Sequence, residues 1–407
     1  MALKILSSVY ILSLFFPYTF LGIGSSGDLQ PYNILIGFFL SSVYILAKIT
    51  KKTTLDKWVI VPIIIILINT IVLILFSELD VNLIRGIGAY ANFSVLLISS
   101  FIALKYSDKV VLKIVIISAI LWNAIGIVQL FFDREFLTFL VNRTVITDDR
   151  GVISLSPEPS YYALMCCVTS AIIFVYGQKK LALILLSPVV FLAKSSVISL
   201  FLVFSMLLYL LILGNKFTRV LLFVLLTLIS LFFMNGESIS IFLSGIDLSS
   251  LGRLGLILEN FDKIFYFFID DQSINTRLTH IYYSIYGFVE NYGIPRGSSI
   301  WPEYINSKAN GPILWSDGLE TTERINSGLG QPLFELGFFS LTIFYVFYSC
   351  IKYNVDDKER LWLLCSVLLF MINTLSISYP PLTLLMAIML KGNKFDTCCS
   401  TQRLRVL

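Results

Sequence analysis

Apolar runs of roughly 17 residues or more recur from one end of this chain to the other, the signature of helices that cross a membrane. Twelve candidate spans follow, at residues 5–23, 31–47, 58–76, 87–104, 110–132, 160–176, 181–193, 196–213, 218–234, 333–350, 361–378 and 380–391. The seventh and twelfth are short for a hydrocarbon core of about 30 Å. "LAKSSVI" leaves almost no loop between the seventh and eighth, which makes one broken element an alternative there. Composition agrees: 57% of the 407 residues are hydrophobic and 14% charged, where a soluble domain carries about 25% charge. The chain reads as an all-α polytopic membrane protein, one membrane domain over residues 1–407. Its first span is retained, since no small-x-small cleavage signal follows it.

Charge sidedness sets the orientation. With the N-terminus inside, the inside segments hold 19 of the 30 lysines and arginines, as the positive-inside rule requires. Both termini are then cytoplasmic. Fifteen of those 19 are lysine, whereas eight of the 11 outer basic residues are arginine: Arg85, Arg134, Arg143, Arg150, Arg253, Arg277, Arg296 and Arg324. Arginine's planar fork grips phosphate oxygens in pairs and keeps its charge when buried. An outer face that favours arginine suggests an anionic ligand; pairing with the outer acids is the plainer alternative.

One large extracytoplasmic loop, residues 235–332, interrupts the spans. "SSLGRLGLILENFDKIFYFFID" is amphipathic and suits the membrane interface. "TRLTHIYYSIYGFVENYG" is a second helix, closed by Gly293 and Pro295, and residues 296–320 read as an ordered loop.

The residues that can carry chemistry are few. "SLSPEPSYYAL" frames Glu158 between two prolines at the head of the sixth span. Glu158 is either a helix cap, favoured by the helix dipole, or a general base aimed from the membrane surface. Lys194 breaks the run "SPVVFLAKSSVISLF" and either snorkels to head groups or faces an anion. Arg277 and His280 share a helix face, with Tyr283 and Tyr286 at similar spacing. Tyr292, Trp301, Tyr304 and Trp315 are expected as exposed rings, either sugar-stacking surfaces or interfacial anchors. Arg324, Asn326, Gln331 and Glu335 lie where the chain returns to the tenth span. The single histidine argues against a histidine-rich metal site, and the six cysteines read as small apolar core residues.

Four segments carry a resemblance. "SPEPSYYA", "FLAKSSVISL", "TRLTHIYYSIYGFVENYGIPRG" and "GLGQPLFELGFFSL" resemble the corresponding segments of the Wzy-type O-antigen polymerases, relatives of the O-antigen ligases. Lys194 stands where members often have arginine. The ligases typically carry a histidine late in the large loop; here Asn326 and Ser327 occupy that place, which favours polymerase.

The resemblance implies a GT-C-like helical glycosyltransferase in the bacterial inner membrane. It would join oligosaccharide repeat units carried on undecaprenyl diphosphate at the extracytoplasmic face. It implies no metal and no cofactor. Its partners would be the lipid-linked glycans, membrane lipid and a chain-length regulator protein, but not nucleic acid. Arg277, with Arg150, Lys194, Arg296 or Arg324, would hold the diphosphate. Glu158 is the first candidate base, with Glu335 and His280 as alternatives. Tyr161, Tyr283, Trp301 and Trp315 are the candidate glycan contacts. An O-antigen ligase and a lipid-linked oligosaccharide flippase are the competing expectations.

Overall fold

The computed structural model describes residues 2–20, 29–146, 151–233, 272–308, 324–373 and 375–392. Among these the chain is helical, with one isolated bridge, Thr19 to Val141, and no strand. Helices α1 (Ala2–Leu14), α2 (Tyr32–Thr50), α3 (Lys57–Phe76) and α4 (Val81–Phe131) form the first half. Then come α5 (Pro159–Val175), α6 (Lys179–Leu186), α7 (Pro188–Phe191), α8 (Ser196–Leu213) and α9 (Lys216–Phe233). After the large loop's first part follow α10 (Gln272–Glu290), α11 (Trp301–Ser307), α12 (Gly330–Leu336), α13 (Leu341–Asn354), α14 (Lys358–Asn373) and α15 (Pro380–Lys391).

Four helical stretches are long and apolar enough to cross a membrane: Tyr32–Thr50, Lys57–Phe76, Val81–Phe131 and Gly330–Asn354. Their surfaces fit that solvent. On α3, Ile60, Ile64, Leu67, Ile71 and Ile74 are exposed at helical spacing, while Val59, Ile65, Asn69 and Val72 are buried. A helix apolar on its outer face as well as its inner one belongs in lipid.

The expected spans are redrawn in several places. Spans 87–104 and 110–132 are both present as the two helical halves of α4, separated by a kink at Ser107 (φ −131°), and both rise along α1 from it. Asp80 caps α4 by accepting the Leu83 N–H at 2.8 Å, which starts the helix earlier than hydropathy alone suggests. The first span stops at Leu14, just short of Pro17. Span 181–193 is broken at Ser187–Pro188 into α6 and α7, so the seventh element is short and irregular. Span 333–350 begins earlier, at Gly330, and is interrupted at Gly337 (φ +55°). Residues 296–320 are not all loop, since α11 forms within them.

The helix ends sort into two sets. At one end lysines meet acids: Lys391 with Asp108 at 3.0 Å, Lys105 with Asp56 at 3.1 Å, and Lys179 with Glu359. Tyr176 also donates to Asp108, and Ser107 donates to the Lys4 carbonyl, so the α1, α4, α5 and α15 ends are latched together. At the other end loops pack on loops. Ser298 and Ser299 bond to Ser77 and Asp80, and Ser327 donates to the Ile372 carbonyl.

Toward that loop end several helices stop part-way along α4. Tyr162, in the first turn of α5, donates to Asn123 at 2.9 Å and abuts Gly126. α4 continues to Phe131, eight residues or about 12 Å past Asn123. Thr383, in the first turn of α15, lies 3.3 Å from Ser100, far from the α4 start at Val81. Trp122 donates to the Phe15 carbonyl just beyond the end of α1. Irregular backbone is therefore carried inside the bundle, where it must be buried in protein or line a cavity.

Close backbone approach fixes these segments. A Cβ on Gly328 would sit 1.9 Å from the Leu375 carbonyl oxygen, whereas one on Gly88 would meet nothing within 4 Å. Gly328→Ala is expected to lower the yield and thermal stability of the detergent-solubilised protein, by on the order of 2–3 kcal/mol. Gly88→Ala is expected to be neutral or slightly stabilising. Thermal-shift and size-exclusion measurements on the pair check the contrast.

Candidate functional site

Around "SLSPEPSYYAL" the chain turns inside the bundle. Ser154 adopts a left-handed backbone (φ +53°). Gln129 holds it from both sides: its amide nitrogen donates to the Ser154 carbonyl at 3.0 Å and its oxygen accepts the Ser154 N–H at 2.6 Å. The Ser154 hydroxyl donates to the Trp122 carbonyl. Pro159 opens α5, where its missing N–H costs nothing. Glu158 precedes it in extended conformation (φ −143°), and its side chain makes no capping bond. The Glu158 carboxylate, half-buried, accepts only from the Ser160 hydroxyl at 3.3 Å among the described residues. It is thus not spent on the first N–H groups of the helix.

Lys194 sits at the break between α7 and α8 and also has left-handed backbone (φ +46°). Gly151 packs against the residues just before Lys194: a Cβ there would be 2.2 Å from the Ala193 carbonyl oxygen, and the Val152 N–H donates to the Leu192 carbonyl at 2.9 Å. These contacts bring Lys194 beside the segment that leads to Glu158. Lys194 is half-buried and its ammonium forms no hydrogen bond or ion pair with any described residue. A cation just ahead of a helix N-terminus is also disfavoured by the helix dipole. Among the described residues this charge therefore meets no acid.

Tyr161, one turn into α5, packs its ring 5.4 Å from Tyr18, and Tyr18 lies 6.5 Å from Tyr379. Tyr379 precedes Pro380, the first residue of α15. Both α5 and α15 thus open with an N-terminal proline beside one tyrosine group. Tyr18 and Tyr379 carried no advance signal in the sequence beyond the second proline-led helix start, "SYPPL".

Glu335 lies near the end of α12 and is buried. It accepts from the Tyr90 hydroxyl at 2.7 Å and the Gln331 amide at 3.0 Å. Arg324 acts on it electrostatically, but no cation forms an ion pair with it among the described residues. Tyr90, in the middle of the small-residue run of α4, is a partner that sequence reasoning missed.

The described part of the large loop folds into its own small core of Tyr283, Trp301, Tyr304, Ile325 and Phe334. This corrects the expectation of exposed rings at Trp301 and Tyr304, which are 1% and 6% accessible, and it buries the candidate glycan contact Tyr283 as well. The cause is α11, whose first turn folds Trp301 edge-on to His280 at 5.2 Å and to Phe334 at 5.1 Å. Of the expected exposed rings, Tyr292 is exposed. Arg296 is also occupied. Its guanidinium donates to the Gly287 carbonyl at 3.1 Å and to Glu290 at 3.0 Å, and lies 4.7 Å over the Tyr304 ring. Lys308 bonds the other oxygen of Glu290 at 2.8 Å, and these bonds hold the Glu290 carboxyl below its ordinary range.

His280 is buried, and its Nδ1 accepts the Asn326 backbone N–H at 2.9 Å. That bond places the ring proton on Nε2. It ties the chain's return toward α12 onto α10. Arg277 stands one turn earlier on α10, partly exposed. Arg150, Arg253 and Trp315 lie outside the described residues.

The candidates therefore fall into two neighbourhoods. Glu158, Tyr161 and Lys194 gather at the heads of α5 and α8. Arg324, Glu335 and His280 gather around α12. One short segment joins them. Gly328 presses on the Leu375 carbonyl, and four residues later Tyr379 reaches the Tyr18–Tyr161 pair. Four residues span at most about 14 Å. Comparison of the chain with protein-family models, with curated proteins and with solved structures finds no match to any of them.

Burial lowers the His280 imidazole from its ordinary 6.5 to about 4. The unfolded chain takes up a proton below pH 6.5, whereas the folded state refuses it until about pH 4. The stability from this packing is full above pH 6.5 and drains as pH falls toward 4, by on the order of 3 kcal/mol. Thermal unfolding followed by tryptophan fluorescence is expected to show that loss in the wild type and a flatter profile in His280→Gln. Equal slopes in the two proteins would clear His280 of the effect.

Proposed function

We propose that this chain is a polytopic glycosyltransferase of about twelve spans, GT-C-like, that polymerises oligosaccharide repeat units carried on undecaprenyl diphosphate. In this reading the lysine-rich, ion-paired end faces the cytoplasm of a bacterial inner membrane, in keeping with the positive-inside rule. The loop end, with both candidate neighbourhoods, faces outward, where no nucleotide sugar is present and a lipid diphosphate must supply the leaving group.

The setting of Lys194 is the observation that carries the proposal. A half-buried ammonium with no acid partner among the described residues, on strained backbone and ahead of a helix start, calls for an anion to complete it. A diphosphate supplies that charge, and the ammonium would stabilise the negative charge that develops as the glycosyl–phosphate bond breaks. Arg277 and Arg324, and Arg150 in the sequence just before Gly151, are the further cations of this reading. Arg296 drops out of it, because its fork is used to fold the loop. The Glu158 carboxylate is the first choice to take the acceptor hydroxyl proton, being uncommitted to capping. Glu335 remains the second choice; His280, held neutral in the loop core, is the weakest base of the three. Tyr161 is the glycan contact that keeps partial exposure.

Broken helices with irregular backbone at depth also suit a lipid-linked oligosaccharide flippase. The readings part on product. Purified protein reconstituted with lipid-linked repeat units is expected to make polymer, with the diphosphate carrier released. Lys194→Met and Glu158→Gln are each expected to insert normally and lose at least about tenfold in polymer formed, with Lys194→Arg retaining a measurable part. Full polymer from Lys194→Met would remove the anion role. Movement of intact single units across the bilayer without chain growth would support the flippase instead.

A further inference from the structure

The helix α10 has two faces of opposite use. Asn275, Thr279, Tyr283 and Ser284 are buried, and Gly287 lets the helix press on α12, since a Cβ there would be 2.7 Å from the Phe334 ring. The other face carries Tyr282, Ile285, Tyr286 and Val289, all exposed, at the i, i+3, i+4 and i+7 positions of one stripe, and the exposed Tyr292 follows just past the helix end. No charged residue interrupts it. The Tyr282 and Tyr286 rings stack at 5.8 Å with an interplanar angle of 10°. Lys308 and Glu290 stand beside it, bonded to each other, with the Lys308 ammonium 5.3 Å over the Tyr286 ring.

The stripe does not end with the helix. Gly293 turns the chain so that Phe288 meets Phe338 at 5.7 Å, and the Phe338 N–H donates to the Gly293 carbonyl at 2.8 Å. Phe338, Phe339 and Leu341 are themselves exposed, and they belong to the stretch Gly330–Asn354 that is long and apolar enough to cross a membrane. On the far side of the same turn, Ser299 bonds to Asp80 and to the Glu78 carbonyl, beside the exposed Leu79 and Val81. One apolar surface thus runs from α10 onto the outer face of a membrane helix.

We infer that α10 is an interfacial helix that lies in the head-group region of the bilayer through its Tyr282–Tyr286–Val289 stripe, with Tyr292 just past its end. The continuity with a lipid-facing surface fixes the partner as membrane lipid rather than a second protein. The residue types agree: tyrosines suit the boundary between water and hydrocarbon, with Ile285 and Val289 reaching below it. The inference needs only the membrane class of the protein and stands apart from the polymerase reading. Through His280, Arg296 and α12 the same helix would hold the loop core at a set height above the bundle.

Spin labels at Val289→Cys, and separately at Tyr292→Cys, test this in the full chain on a cysteine-free background in lipid nanodiscs. Glu303→Cys, exposed on α11, is the aqueous reference. Both stripe labels are expected to favour relaxation by oxygen over a water-soluble nickel chelate several-fold more than the reference does. Ratios equal to the reference would place the stripe in water and overturn the inference. So would labels that are open to the nickel chelate until lipid-linked oligosaccharide is added, which would make the tyrosine stack a glycan platform.

Discussion

A backbone that leaves the helix inside an apolar bundle has no water to bond with, and the whole loop end of this protein depends on how that is met. Gln129 meets it most directly, presenting both halves of its amide to the Ser154 peptide groups and a further bond to the Phe136 carbonyl. Trp122 does the same for Phe15, and Ser327 for Ile372. Each unmet group would cost on the order of 1–3 kcal/mol or more. These side chains are therefore what permits α1, α5 and α15 to stop short inside the bundle.

The short helices have a consequence for electrostatics. α5, α8 and α15 all run from the loop end toward the lysine end, so their N-termini and the partial positive charge of their free N–H groups lie toward the loop end. Proline at the starts of α5 and α15 removes donors that would otherwise need partners. What remains is a mildly positive interior rim, and Lys194 adds a full charge to it. Glu158 and Glu335 lie in this same half, one beside the rim and one behind the α12 wall. Neither carboxylate forms an ion pair with a described residue; Glu158 accepts from Ser160, and Glu335 from Tyr90 and Gln331.

Much of this was legible in the sequence where the signal is local. The proline frame of Glu158 marked the start of α5, "TRLTHIYYSIYGFVENYG" gave α10 with its glycine stop, and hydropathy located the long apolar helices. Where the determinant lies far along the chain, the sequence was silent. Glu335 owes its setting to Tyr90, 245 residues away, and nothing in "GAYANF" marks that tyrosine. Trp301 and Tyr304 looked like exposed rings because their neighbours are polar, yet α11 folds them into a core with Phe334. The connection expected between residues 104 and 110 is a kink at Ser107, whose hydroxyl bonds the Lys4 carbonyl and meets the Ser8 hydroxyl.

The distribution of ion pairs separates what holds the protein together from what it is kept for. At the lysine end, Asp56, Asp108, Asp357 and Glu359 each meet a cation, and the Asp56, Asp108 and Glu359 pairs, with the Tyr44 and Tyr176 hydroxyls, tie neighbouring helix ends together. In the loop core, Glu290 is shared between Arg296 and Lys308. Lys194 and Glu335 follow neither pattern. Their charges are partly or wholly withdrawn from water, and an apolar residue of similar size would be easier to fold around at either place. In the proposed reading an anion completes Lys194, and Glu158, with Glu335 as second choice, takes the acceptor proton, at the end of the bundle where α1, α5 and α15 stop short.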